Sequence, residues 1–178
     1  PFYPNEECGV TDPSQTWWGL FVASGNYVLE ANDSWGGTTI CNTGYRGNDV
    51  RTTSFRARSG LLGNPDIIFV FGGTNDSWAG APIGEYNYDR KGVTEDDCRC
   101  FRPALAQLIY QLRKQYRKAD IYYILNSELS EGVTESTKTI CGRMGAKLVE
   151  LHDIEKHSGH PTFAGMQAIC DQLKEVVK

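Results

Sequence analysis

Apolar and polar residues fall in blocks along the chain, and the period changes from block to block. Asp66–Phe71, entered through Pro65, is an apolar run closed by Gly72-Gly73. A short run bounded by turn residues suits a strand buried on both faces, in the middle of a parallel sheet. Asp120–Asn126 and Lys147–Leu151 read the same way, and Tyr27–Ala31 is a shorter candidate. Between these runs the pattern turns helical. Ser14 suits the N-cap of a helix over 15–22 that ends near Gly25. A modest helix is expected over 51–60. From Thr94 the helical period returns, with Leu105, Leu108, Ile109 and Leu112 on one stripe and Pro103 suited to a helix start. Arg113, Lys114, Arg117 and Lys118 gather at its end, where cations complement the helix dipole. A polar helix over 132–144 stops at Gly145. Pro161 opens a last helix with Met166, Ile169, Leu173 and Val177 on one face. Residues 1–13, 38–50 and 79–93 read as loop. Strands alternating with helices predict a three-layer α/β/α fold around a parallel sheet. With no repeat and no linker, one domain is expected over residues 1–178.

Composition narrows the picture. Hydrophobic residues make 40% and charged residues 22% of the 178, an ordinary globular balance. A net charge of −4 disfavours a nucleic-acid or acidic-membrane partner. No apolar run approaches the length of a membrane span, and no signal peptide is visible. Six cysteines, two of them in the pair Cys98-x-Cys100, match no zinc spacing. Reduced, mostly buried thiols are expected, with one disulfide left open. No metal or cofactor is expected.

Three glycine- or proline-bearing loops follow strand ends: Gly36-Gly37, Gly73-Thr74-Asn75-Asp76 and Ser158-Gly159-His160-Pro161. A parallel sheet brings such loops to its carboxyl edge, where ligands bind. The Asn75 amide there can donate to a developing oxyanion, or its side chain can close an Asx-turn. A His before Pro161 sits on a rigid elbow. Jointly the loops describe an oxyanion hole, from the Gly37 N–H and the Asn75 amide, and a general base, His160. Thr74, Trp35 and Trp78 are the candidate substrate contacts. Trp35 and Trp78, with Tyr86 and Tyr88, either pack the loops or form a stacking wall for a sugar ring or aromatic ester. Asn32-Asp33-Ser34 and Asn75-Asp76-Ser77 match the glycosylation sequon, and both are read as accidental.

The stretch GGTND, followed later by GHPTFAGM, resembles the SGNH (GDSL-type) hydrolase superfamily. Gly73-Thr74-Asn75-Asp76 matches its third block, Gly37 the glycine of its second, and His160, Pro161 and Gly165 its last. FGGTNDSWAGAPIGEY looks closest to esterase-like members from gut bacteria, which leaves cytoplasm, periplasm and secretion all open. The resemblance implies a flavodoxin-like strand order and a serine esterase acting on small O-acyl esters, acetylated carbohydrates among them, through an acyl-enzyme. The partner implied is a small-molecule ester; the oligomeric state is left open.

Two departures stand out. The family's Gly-Asp-Ser block, which carries the nucleophile, is not in residues 1–16. The serine and its strand are expected before Pro1, that strand lying between strands 27–31 and 66–71. Asn32-Asp33-Ser34 imitates the block but stands in the second-block position. The family's acid, three residues before the His, is here His157; Asp153, Glu155 or a backbone carbonyl is left to orient His160, or a Ser-His dyad operates. The rival readings are a binding module of the same fold without its serine and, more weakly, a flavodoxin-like phosphate or nucleotide binder. The second has neither GxGxxG nor a P-loop to support it.

Overall fold

The computed structural model of the chain describes residues 3–89 and 91–177. They gather into two compact units, one spanning Gly37–Glu150 and the other joining the chain through Gly36 to Leu151 and beyond. The helices are α1 (Trp17–Ala23), α2 (Phe55–Arg58), α3 (Thr74–Trp78), α4 (Phe101–Gln115), α5 (Glu131–Met144) and α6 (Phe163–Val176). The strands are β1 (Ile67–Phe71), β2 (Asp120–Leu125), β3 (Lys147–Glu150), β4 (Lys156–His157) and β5 (His160–Pro161).

In the unit 37–150 the strands β1, β2 and β3 form a parallel sheet in that order. Every β2 residue from Ile121 to Leu125 is buried, as a strand with neighbours on both sides and cover on both faces requires. In β1 only Ile68 and Val70 are buried, while Ile67, Phe69 and Phe71 are half-buried. The middle of this sheet is therefore β2, not the Asp66–Phe71 run. The two runs look alike in sequence because an apolar run reports potential burial and says nothing about how many neighbours it finds.

Helix α4 presents Phe101, Leu105, Leu108, Ile109 and Leu112 to the core and packs against α5 and α2. It begins at Phe101 rather than Thr94. Thr94 and Asp97 close a separate turn on each other, the Thr94 N–H reaching Asp97 Oδ2 at 2.8 Å and the Asp97 N–H reaching Thr94 Oγ1 at 3.1 Å. Pro103 then falls in the first turn of the helix, where its missing N–H has no helical partner to lose. The expected helix over 51–60 shrinks to α2, capped by Ser54. Helix α5 ends on Gly145 in the left-handed conformation, φ 75°.

In the other unit α1 packs against α6. Thr16, not Ser14, is the N-cap of α1, with Oγ1 accepting the Gly19 N–H at 3.2 Å. Ser14 lies in a 3-10 turn over Pro13–Gln15 that Asp12 and Gln15 close reciprocally. Thr162 caps α6, so Pro161 lies before the helix, in β5. Met166, Ile169 and Leu173 are buried as their spacing requires.

Tyr27–Ala31 is not a strand. Val28 is 89% exposed, and the Tyr27 ring stacks on Phe21 at 4.6 Å. The segment joins no ladder among the described residues, and short apolar content does not make a strand without a partner for its backbone groups. All six cysteines are free thiols, which answers the open disulfide. Among the described residues no helix is long and apolar enough to cross a membrane.

Candidate active site

Strand β1 runs into Gly72-Gly73, and both glycines are set by close approach. A Cβ on Gly72 would lie 2.8 Å from Ile40 Cδ1; one on Gly73, whose φ is 89°, would lie 3.2 Å from the Tyr123 hydroxyl. The chain turns directly into α3, so Asn75 stands on a helix rather than in a loop. Its side chain does not close an Asx-turn. Nδ2 donates to the carbonyl of Thr38 at 2.9 Å, across 37 residues, and Oδ1 accepts from the Tyr45 hydroxyl at 2.8 Å. The Thr38 oxygen can only accept, which fixes which end of the amide faces it. The second N–H of Nδ2 meets no partner among the described residues. Gly37, exposed with φ 76°, immediately precedes Thr38, so the amide is anchored one residue from the second candidate donor.

Asp76 anchors the same segment from beneath. Its buried carboxylate accepts the Ile40 N–H at 2.9 Å and the Cys41 N–H at 3.1 Å. Burial pushes the carboxyl up from its usual range, against the opposing pull of those two donors. Replacing Asp76 with Ala strands two fully buried N–H groups, each costing about 1–3 kcal/mol. The expected result is a loss of about 2–6 kcal/mol in denaturant unfolding with an unchanged m-value. A loss under about 1 kcal/mol would mean the Ile40-Cys41 segment finds other partners.

The remaining candidates in this unit are Thr74 and Trp78. Thr74 Oγ1 accepts from Asn126 Nδ2 at 3.1 Å, which engages its hydroxyl at the end of β2. Trp78 is 45% exposed and stands three residues after Asn75, on the same side of α3.

In the other unit His160 lies on a two-residue hairpin. Its strand partner is His157, and Ser158-Gly159 turn with φ values of 49° and 79°, a type I′ signature. The ring is half-buried, and burial lowers the imidazole pKa, so the neutral form, the one able to accept a proton, prevails at neutral pH. The Cys8 thiol shares its one proton between the carbonyls of His157 and His160, at 3.8 and 3.7 Å. Neither candidate acid is bonded to His160. Asp153 Oδ2 lies 3.0 Å from His152 Nδ1, with its side chain 95% exposed. Glu155 Oε1 accepts from the Thr162 hydroxyl at 2.6 Å, at the start of α6. The sequence left Asp153, Glu155 or a backbone carbonyl to orient His160. Asp153 holds a positive φ of 53°, and its carboxylate meets the neighbouring His152. Trp35 is exposed. Asn32 supplies the Asx-turn that sequence allowed for Asn75, its Oδ1 taking the Ser34 N–H at 3.1 Å.

Tyr45 and Asp76 were not singled out from the sequence. For Asp76 a signal existed: an acid directly after Asn75, one helical step inside a glycine-led turn, has donors to find. Tyr45 carries no local signal.

A parallel sheet whose first strand delivers a fixed amide donor just past its carboxyl end belongs to the α/β class that binds ligands at that edge. The model of the GDSL-like lipase/acylhydrolase family matches residues 2–177, and the chain belongs to that family. Among solved structures it is similar to two proteins described as GDSL-like lipases. One, from Bacteroides uniformis, is 50% identical, with a TM-score of 0.92 over 94% of this chain and 78% of that one. The other, from Bacteroides ovatus, is 46% identical, with a TM-score of 0.93 over 97% of this chain and 83% of that one. A family two carbohydrate esterase from Clostridium thermocellum, solved in complex with cellohexaose, shares the fold at 17% identity and a TM-score of 0.60, over 93% of this chain and 54% of that one. No curated protein matches. The α/β/α class and the hydrolase superfamily expected from the sequence are those of this chain.

Proposed function

We propose that the protein is a serine esterase that hydrolyses small O-acyl esters, acetylated carbohydrates among them, through an acyl-enzyme. The observation that carries the reading is the Asn75 amide, held by Thr38 and Tyr45 with one N–H unspent. A donor fixed before reaction costs no reorganisation when charge develops on the substrate oxygen. The serine hydroxyl adds to the acyl carbonyl as His160 takes its proton. The oxyanion is held by the Asn75 amide and the Gly37 N–H. As the carbonyl re-forms, the C–O bond to the alcohol breaks and His160 returns the proton to that alcohol. Water repeats the sequence on the acyl-enzyme, releasing the acid and restoring the serine. Exposed Trp78, one turn along α3 from Asn75, and exposed Trp35 suit the apolar face of a sugar ring.

The test is hydrolysis of p-nitrophenyl acetate and of acetylated xylose and cellobiose by the full-length protein, followed by mapping of a fluorophosphonate adduct. A covalent adduct on one serine, with loss of turnover, is the expected result, and the mapped peptide identifies the nucleophile, Ser34 included. Binding of the acetylated sugars without turnover or adduct would favour the binding-module reading.

The pH profile follows from His160. A base must be neutral to accept a proton, and burial holds this ring neutral to lower pH than usual. Full kcat/KM is expected at neutral pH, with the acid limb falling at an apparent pKa below the ordinary value of about 6.5. A limb above that value would mean His160 gains a charged partner in the free enzyme.

A further inference from the structure

We propose that Tyr45 is a positioning residue for Asn75, its hydroxyl locking and polarising the amide so that one N–H stays aimed at the substrate oxygen. The proposal rests on the reading of Asn75 as an oxyanion donor. Asparagine χ2 is a broad torsion, so an amide with a single anchor swings. Here it has two: Thr38 accepts from the nitrogen end, and Tyr45 donates to the oxygen end. A hydrogen bond accepted at an amide oxygen also draws electron density from the nitrogen and strengthens its N–H groups as donors, the usual cooperativity of hydrogen-bond chains.

The loop that presents Tyr45 is itself tied down. Thr43 bridges Asp49, the Gly44 N–H meets the Asn48 carbonyl at 2.8 Å, and the Thr43 hydroxyl donates to the Arg99 carbonyl at 2.8 Å. Arg46 holds a left-handed φ of 59° to complete the turn. Tyr45 is 41% exposed, yet its hydroxyl is committed to Asn75. Its bond is not required to hold the 38–41 segment in place, because Asp76 already does so through Ile40 and Cys41. Burial of the hydroxyl, reinforced by the Asp76 carboxylate, raises the phenol pKa, so it remains a donor at neutral pH.

The experiment is a double-mutant cycle on the full-length protein with p-nitrophenyl acetate: wild type, Tyr45→Phe, Asn75→Ala and both together. Tyr45→Phe should lower kcat about 3- to 10-fold, the worth of one hydrogen bond, with KM unchanged and Tm lowered by no more than the loss of that one partly exposed bond explains. In the Asn75→Ala background the same change should have no further effect, because the group Tyr45 acts through is gone. Wild-type kcat in Tyr45→Phe overturns the proposal. So does a loss that multiplies in the double mutant, a change confined to KM, or a lowered Tm with kcat retained in the folded fraction. In each of those cases an active wild type leaves the esterase reading standing. A full-length wild type that turns over no ester removes that reading and the proposal with it.

Discussion

Replacing His160 with Ala is expected to reduce ester turnover by the full-length protein about 10⁴-fold or more, the scale on which loss of a general base acts in serine hydrolases. The nucleophile is then left protonated at neutral pH, and the leaving alcohol has no acid to meet it. The fold should hardly notice. The hairpin that carries His160 is held by backbone pairing with His157 and by the Cys8 thiol on its carbonyls, and none of these needs the imidazole. A Tm close to wild type is expected, and added imidazole should return part of the activity. The other two histidines are internal controls. His152 and His157 are exposed and lie beside Asp153 and Glu7, so alanine at either should leave kcat within about twofold. The same holds for Asp153→Ala. Wild-type turnover in His160→Ala would remove this residue from the mechanism, and a collapse of kcat in Asp153→Ala would show that its carboxylate moves to His160 during catalysis.

Asn75→Ala should lower kcat and kcat/KM together by about 10²–10³, some 2.7–4 kcal/mol of transition-state stabilisation. KM should change little, because the donor faces charge that exists only in the transition state. Stability should fall too. The amide joins α3 to Thr38 and Tyr45, and each net hydrogen bond lost costs about 0.5–1.5 kcal/mol. The residue is only half-buried, so water replaces part of what is removed. Activity must therefore be measured on the folded fraction, with unfolding followed on the same variant. A destabilised enzyme with wild-type kcat would reduce Asn75 to a tether and leave the esterase without its side-chain oxyanion donor.

What could be read from the chain alone was local. Apolar period placed β1, β2, β3 and the stripes of α4 and α6, because side chains three, four or two residues apart share a face whatever else the protein does. Gly145 stopped α5 and Gly72-Gly73 ended β1 because those positions need a backbone that other residues resist or that a Cβ would block. The short blocks around Asn75 and His160 were enough to name the superfamily. Whatever depended on a partner distant in sequence was decided by the tertiary structure. β2 took the middle of the sheet because it found two neighbours, and Tyr27–Ala31 stayed irregular because it found none among the described residues. Asn75 found its partners in Thr38 and Tyr45, and Asp76 in Ile40 and Cys41, across separations of 30 to 37 residues. A hydrogen bond over such a distance exists only once folding has brought α3 and the 38–45 segment together, and a tyrosine in a polar loop carries no mark of the amide it will hold.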